Sequence, residues 1–444
     1  MPNRAKHLFV FVVGLLLFAP ASGQSPELKQ FIQQAPKITA DEAVARALEA
    51  SSLTYHGSPF HALLVINQPS NPDSQFQGTV EIYWASATRY RVTVTSRPFS
   101  QTRIVNGDAI EETNIGDFYP SWLRNYFLAV FELLPRADEF RTDQKTPVML
   151  GSNVSQSCVN RDDRPNGITD MMTWAQICFQ GAEPRVKYTM DFTYFMEYGD
   201  YQSFGNKIIA RTYTDYDKNN DKVLGKLTIL EPLKPTDEAL LEVKHPTPAA
   251  DRIETHFVQM ATNEQLLEKA PVIEWPSIHE GKTEGNMIIH VLTDRTGQVR
   301  EAYGHNSDAG GVLDFGAQQA LKYKFKPLLL NGAPVQMETP LVIHFTTRIE
   351  NPLPVLTGND IAEYAPGCGY NQVLPAGVLP SGTIFKIRVS VNEQGKETGE
   401  IFPQNVPWEA VQKAHLNLMS CRFKVYKVNG VPWYHHIDFE FRAP

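Results

Sequence analysis

The stretch from Asn286 to Phe345 occurs twice in this chain of 444 residues. The first copy reads strand, Gly turn, strand and helix, followed by Lys-Phe-Lys-Pro-Leu-Leu-Leu-Asn-Gly-Ala-Pro-Val from Lys324 to Val335. That run returns as Lys-Val-Asn-Gly-Val-Pro, Lys427 to Pro432, behind Arg422-Phe423-Lys424. One spacing of 98 residues carries Gly297 to Gly395, Phe325 to Phe423, and the Asn331-Gly332-x-Pro334 turn to Asn429-Gly430-x-Pro432. The strand upstream keeps it, with Met287, Ile289 and Val291 matching Phe385, Ile387 and Val389. A register held over such a length is a tandem duplication. Phe345 and Phe441 each end a last strand, so the second copy's final hairpin reads as two residues shorter.

The rest of the chain is read around that pair. Its length predicts two or three domains. Hydrophobic content of 42% supports packed cores, and 31 prolines with few helical patterns predict a β-rich α+β protein. Formal net charge is -8 with scattered Lys and Arg, which excludes the basic footprint of a nucleic-acid binder. Arg4, Lys6 and His7 precede an apolar run from Leu8 to Phe18, and Ala21-Ser22-Gly23 follows. This reads as a signal peptide over residues 1–23, cleaved before Gln24. An uncut anchor is the alternative, but the run is shorter than a span needs. No Cys follows the run, so no lipoprotein anchor is expected.

An exported chain with four cysteines is expected to pair them. Cys158 pairs with Cys178 across a turn-rich segment, Arg161 to Gly167, and Cys368 with Cys421 around the second copy. Metal binding is the alternative, without a CxxC or nearby His pattern behind it. The Asp215-x-Asp217-x-Asn219-Asn220-Asp221 run lacks the Gly and Glu of a calcium loop and reads as a hairpin turn. His435 and His436 are strand neighbours that point to opposite faces, so they do not share a metal. His290 and His344 read as solvent-facing strand residues. There is no G-x-S-x-G elbow, HExxH helix or phosphate-cradling glycine loop, and no catalytic residue, cofactor or metal site is assigned.

Thr39-Ala40-Asp41-Glu42 reads as a capping box before a helix with Ala43, Val44, Ala47 and Leu48 on one face. Strands follow at His61 to Asn67, Gly78 to Ala85 and Arg89 to Ser96, with a meander from Gln101 to Glu112 turning at Asn106-Gly107-Asp108. Val80, Ile82, Trp84, Val92 and Val94 share the apolar face. Asp117 to Leu134 reads as a helix after Pro120, apolar on most sides through Trp122, Tyr126 and Phe127. Either it plugs the inside of a curved sheet, or it gates an apolar cavity lined by those side chains. Strand patterns resume from Pro147 to Leu230.

The order helix, strands "FQGTVEIYWASATRYRVTV", turn "IVNGDAI", apolar helix and late strands "GNKIIARTYTDYDKNNDKVLGKLTILEP" resembles the LolA/LolB group. That resemblance implies a half-open antiparallel β-barrel over residues 24–245 that binds acyl chains or lipoproteins through a dispersed apolar lining. The repeated unit resembles the carboxy-terminal domain of TonB. The resemblance rests on Trp275-Pro276, Met287 to Thr293, Gly297, Leu313 to Lys322, Phe325-Lys326-Pro327, Gly332-Ala333-Pro334-Val335 and Leu341 to Phe345. It implies two small ββαβ domains, residues 246–349 (with a connector over 246–270) and 350–444. The second copy departs in having Val425 where the first has Pro327. A three-stranded sheet with one covered face leaves an edge for an extended partner strand, and Leu341, Ile343 and Phe345 are the expected docking strand.

The leading expectation is a periplasmic or secreted interaction protein, not an enzyme. Its partners would be extended membrane-protein segments and lipid or lipoprotein acyl chains. A TonB-type energy transducer is an alternative, which would need an inner-membrane anchor and a long Pro-rich spacer. A lipid or lipoprotein carrier with purely structural repeats is the other.

Overall fold

The computed structural model describes residues 37–132, 147–149, 157–160, 176–180, 185–191, 194–217, 221–258, 264–366, 368, 371–403, 405–418 and 421–444. The signal segment 1–23 and the turn 161–167 lie outside these residues. The chain is β-rich, with buried apolar side chains in three separate clusters.

The first cluster belongs to a sheet of eleven strands. Its strands are β1 (Phe60–Asn67), β2 (Gly78–Ser86), β3 (Arg89–Ser96), β4 (Ser100–Asn106), β5 (Ala109–Ile115), β6 (Ser157–Asn160), β7 (Gln176–Gln180), β8 (Arg185–Asp191), β9 (Tyr194–Gly199), β10 (Thr212–Tyr216) and β11 (Lys222–Pro232). The order is β5-β4-β3-β2-β1-β11-β10-β9-β8-β7-β6. Every neighbouring pair is antiparallel. Among the described residues the two end strands do not pair, so the sheet is open. Alternation builds it: Phe60, Ala62, Leu64 and Ile66 are buried with Val80, Ile82, Trp84, Val92 and Val94.

Two helices join this core. Helix α1 (Ala40–Ser51) begins at Thr39, whose hydroxyl accepts from the Glu42 N–H at 3.2 Å. The expected capping box is half made, because the Glu42 carboxylate pairs with Arg46 instead. Helix α2 (Ser121–Phe131) is shorter than the sequence reading and starts directly after Pro120.

The two copies of the repeat build sheets with one strand order. The first contains β12 (Thr255–Phe257), β13 (Glu284–Thr293), β14 (Val299–Ser307), helix α3 (Leu313–Ala320) and β15 (Ala333–Thr346). Its order is β12-β15-β13-β14. The second contains β16 (Val355–Leu356), β17 (Asn371–Val373), β18 (Ile384–Val391), β19 (Glu397–Ile401), helix α4 (Trp408–Leu418) and β20 (His435–Arg442). Its order is β16-β20-β18-β19, with β17 also on β20.

Strand pairing corrects the expected hairpin. Ile343 lies opposite Met287, and Phe441 lies opposite Phe385. Phe441 is therefore the counterpart of Ile343, not of Phe345, and the spacing of 98 survives to the end of the last strand. It reaches the edge strand as well: Phe257 pairs with Glu338, and Val355 with His436. The turn residues agree, since Asn331 and Asn429 have φ of 51° and 53°, and Gly332 and Gly430 have 83° and 80°.

Two further expectations need correction. The sheet edge beside β15 is not bare, because β12 lies along its first half in parallel. β12 falls inside the segment read as a connector. The stretch before it is fastened to the open sheet. Thr247 N–H donates to Ile110 O, and Ile253 N–H donates to Glu112 Oε1 at 2.7 Å, so this stretch runs beside β5.

Candidate functional site

The site is built on the face of the open sheet that carries α2. Leu123, Tyr126 and Val130 of the helix are buried, and Trp122 stands edge-on to Phe76 at 5.6 Å. Tyr126 is wholly buried and donates to Val223 O at 2.6 Å. Close approach here depends on glycine: a Cβ on Gly225 would sit 2.7 Å from the Tyr126 ring. The sequence-predicted lining residues Val80, Ile82, Trp84, Val92, Val94 and Trp122 are all buried in this cluster, with Phe127 packed against it. They meet one another beneath and along α2. Burying side chains of this size stabilises by about 1.5–3 kcal/mol each.

Polar atoms are enclosed with them. Trp84 Nε1 and Asn125 Nδ2 are buried without a hydrogen-bond partner among the described residues. Asp215 sits below the helix, accepting from the Tyr216 N–H at 2.7 Å, and burial pushes its carboxyl up to about 7.

A second layer lies between α2 and the first repeat. Pro120 supplies no side-chain cap, so the helix opens with unsatisfied donors. Ser121 N–H donates instead to Glu301 Oε2 on β14 at 3.1 Å. Ser121 Oγ and Tyr303 OH are 3.0 Å apart. The Gln336 side chain clasps the preceding residue: Tyr119 N–H donates to Oε1 at 2.7 Å, and Nε2 donates to Tyr119 O at 3.2 Å. Arg124 donates to Glu338 on β15, and His290 Nε2 lies 2.9 Å from the other oxygen of that carboxylate. Burial alone would raise Glu338, but the Arg124 charge and the His290 contact outweigh it and hold the carboxyl at about 2. Burial raises Glu301 despite its donors. His290 was expected to face solvent; it is buried, because the sheet face opposite α3 packs on α2 rather than on water. His344 is exposed, as read.

Leu341, Ile343 and Phe345, the expected docking strand, have their side chains in the core of the first repeat. What faces the edge there is backbone. Gln336 N–H donates to Glu254 O, and Glu338 O accepts from Val258 N–H, so even-numbered residues of β15 point outward. Val342 and His344 continue that edge without a backbone partner there among the described residues. In the second copy the same edge is filled. Asn371–Val373 pair in parallel with Glu440–Arg442, and Leu374 N–H donates to Arg442 O at 3.0 Å. The residue matching Leu374 is Pro276, which has no N–H to give. The Cys368–Cys421 disulfide lies just before β17. Cys178 is disulfide-bonded as well, and Cys158 is its register partner across β6 and β7.

His435 and His436 are both buried, with their side chains in different surroundings. His436 contacts Glu280 of the first repeat and lies 3.1 Å from Ser390 Oγ. Among the described residues no group of three His, Cys, Asp or Glu is placed to hold a metal ion. Residues Asp215–Tyr216 and Lys222–Val223 pair as a hairpin; 218–220 at its tip lie outside the described residues. Among the described residues no helix is long and apolar enough to cross a membrane. Sequence reasoning missed Gln336, Glu301 and Glu338. Gln336 and Glu338 stand out as polar residues on the largely apolar β15, while Glu301 lies on the mostly polar β14 and carries no such signal.

The arrangement defines a class: an open antiparallel sheet with an apolar helix on one face, followed by two tandem ββαβ units. No family profile and no curated protein sequence matches the chain. Solved structures similar to it include a domain assigned to an outer membrane lipoprotein-sorting protein of Vibrio parahaemolyticus. That domain shares 11% identity at a TM-score of 0.26, over 48% of this chain and 98% of its own. A LolA superfamily protein from Nitrosomonas europaea shares 10% at 0.29, over 45% of this chain and 96% of its own. Scores this low establish neither a common ligand nor a common function.

Proposed function

We propose that the protein is a periplasmic carrier that shelters an apolar chain, a lipid or the acyl chain of a lipoprotein, between the open sheet and α2. The observation that carries this reading is α2 itself. It is an apolar helix laid on an open sheet, and its first turn is capped from another part of the molecule. The buried Trp84 and Asn125 donors suit a ligand with a polar group at one end of its apolar body. The disulfides fit an oxidising compartment.

The test is native mass spectrometry of protein purified without detergent, with titration of a fluorescent fatty-acid analogue. Copurifying lipid and saturable binding, both weakened by Trp122→Asp in a folded variant, are the expected outcome. No copurifying lipid together with no saturable binding removes the reading.

A second reading concerns the first repeat as a docking module for an extended segment of a membrane protein. It is favoured by the second copy, where β17 occupies the matching edge in parallel. Val342 to His344 is the stretch such a segment would pair with. TonB-type energy transduction is the rival use of the same module. Recovery of the native protein uncleaved in the inner-membrane fraction would favour that rival.

A further inference from the structure

We infer that the first repeat is the positioning element for α2: Gln336, Glu338, Glu301 and Tyr303 hold its amino-terminal end, so that movement of this repeat releases the helix from the sheet. The inference deepens the carrier reading and takes its purpose from it, but the latch can be tested without any ligand.

The two ends of α2 are held by different units. At the carboxy-terminal end, Thr54 Oγ1 of the open-sheet region donates to Phe131 O at 2.8 Å. At the amino-terminal end the partners all come from β14 and β15. Arg300 adds to them, lying 3.3 Å from Asp117 and 5.2 Å from the Phe118 ring. The contacts engage the Ser121 N–H, the Ser121 hydroxyl, the peptide groups of Tyr119 just before the helix, and the Arg124 guanidinium. A carboxylate at a helix amino terminus is favourable on electrostatic grounds, so Glu301 acts as a cap delivered by another unit.

The latch is specific without being fully satisfied. Tyr119 OH and Arg124 Nε are buried there and have no hydrogen-bond partner among the described residues. Such groups regain partners when water enters, which lowers the cost of opening. The same strand position serves as the joint in both copies. Glu338 and His436 are counterparts; Glu338 meets Arg124 of the preceding unit, and His436 meets Glu280 of its own preceding unit. In the first copy alone, the preceding element at this joint is the helix covering the apolar face.

Hydrogen–deuterium exchange on the full chain tests this. Glu338→Gln and Gln336→Met are expected to speed exchange in 121–131 about tenfold, while peptides from 60–96 change less than about twofold. Because Glu338→Gln strands a buried Arg124, the double variant Arg124→Met/Glu338→Met is measured beside it. That pair removes both charges together and is expected to free the helix without unfolding the sheet. Arg388→Met, which breaks the Arg388–Asp438 pair of the second repeat, is the control and leaves 121–131 unchanged. Unchanged exchange in 121–131 in all three latch variants overturns the inference. So does acceleration spread equally over 60–96 in the double variant. If the helix is released but no fatty-acid analogue binds, the carrier reading fails and the latch stands.

Discussion

The two repeats share one strand order and one spacing, yet they face different surroundings. The first spends the sheet face opposite its helix on α2, through Glu338, Gln336, Glu301 and Tyr303. The second turns the same face toward the first repeat through His436. The first leaves Val342 and His344 at its edge, while the second fills that edge with β17 and ties the chain beside it with a disulfide. Their difference teaches that a duplicated module can be given a new task by few changes. Glu338 against His436 changes the charge at the joint, and Pro276 against Leu374 removes one donor at the edge.

The largest expected effect breaks the joint. Arg124→Ala or Glu338→Ala alone should cost about 3–5 kcal/mol in urea unfolding, because each leaves a buried charge unmatched. Replacing both with Met removes the unmatched charge and should recover only that part of the loss, the joint itself staying weakened. The pH dependence follows in sign: Glu338 titrates near 2 in the folded protein, below its ordinary 4.5. Its contribution is present in full above about pH 4.5 and is lost as pH falls toward 2. Glu338→Gln should flatten this acid limb, whereas removing His436 should leave it in place.

Next in size is the staple found in only one copy. The positions matching Cys368 and Cys421 in the first repeat are Ala270 and Tyr323. Cys368→Ser/Cys421→Ser should lower the stability of the second repeat by about 2–4 kcal/mol in calorimetry. A transition assigned to the first repeat should not move.

The Gly turns should respond unequally. Gly297 and Gly395 both have positive φ, of 84° and 74°. A Cβ on Gly297 would stand 2.0 Å from Phe325 O, but a Cβ on Gly395 would stand 3.0 Å from Phe423 O. Gly297→Ala should cost about 3 kcal/mol and Gly395→Ala about 1 kcal/mol in chemical denaturation. Equal costs would show that the first copy's turn relaxes freely.

The smallest effect sharpens the edge. Pro276→Leu restores the donor that the second copy uses, and should raise the thermal stability of the first repeat by up to roughly 1 kcal/mol. Amide exchange at Val342 and His344 should slow with it. If neither changes, proline does not explain the uncovered edge.

Much of this was legible in the chain because it is local or periodic. Alternation of Val80, Ile82 and Trp84 gave a strand and its buried face, Thr39 gave a helix start, and Asn331-Gly332 gave a turn with positive φ. The duplication emerged because each unit repeats such local signals at a constant interval. Assigning Phe345 to Phe441 failed, since matching chain ends says nothing about which residues lie opposite each other across a sheet. His290 failed for a related reason: a strand shows which residues share a face, and only packing shows whether α2 or water covers it. The cap that Glu301 gives to Ser121 joins residues far apart in the chain, and no spacing announces it. The sequence by itself determined the alternating strands, the turns and the repeat, but not the edge strand β12. Tertiary structure alone decided the joint between the first repeat and α2, because buried charges and unsatisfied helix donors find their partners only once the units have packed.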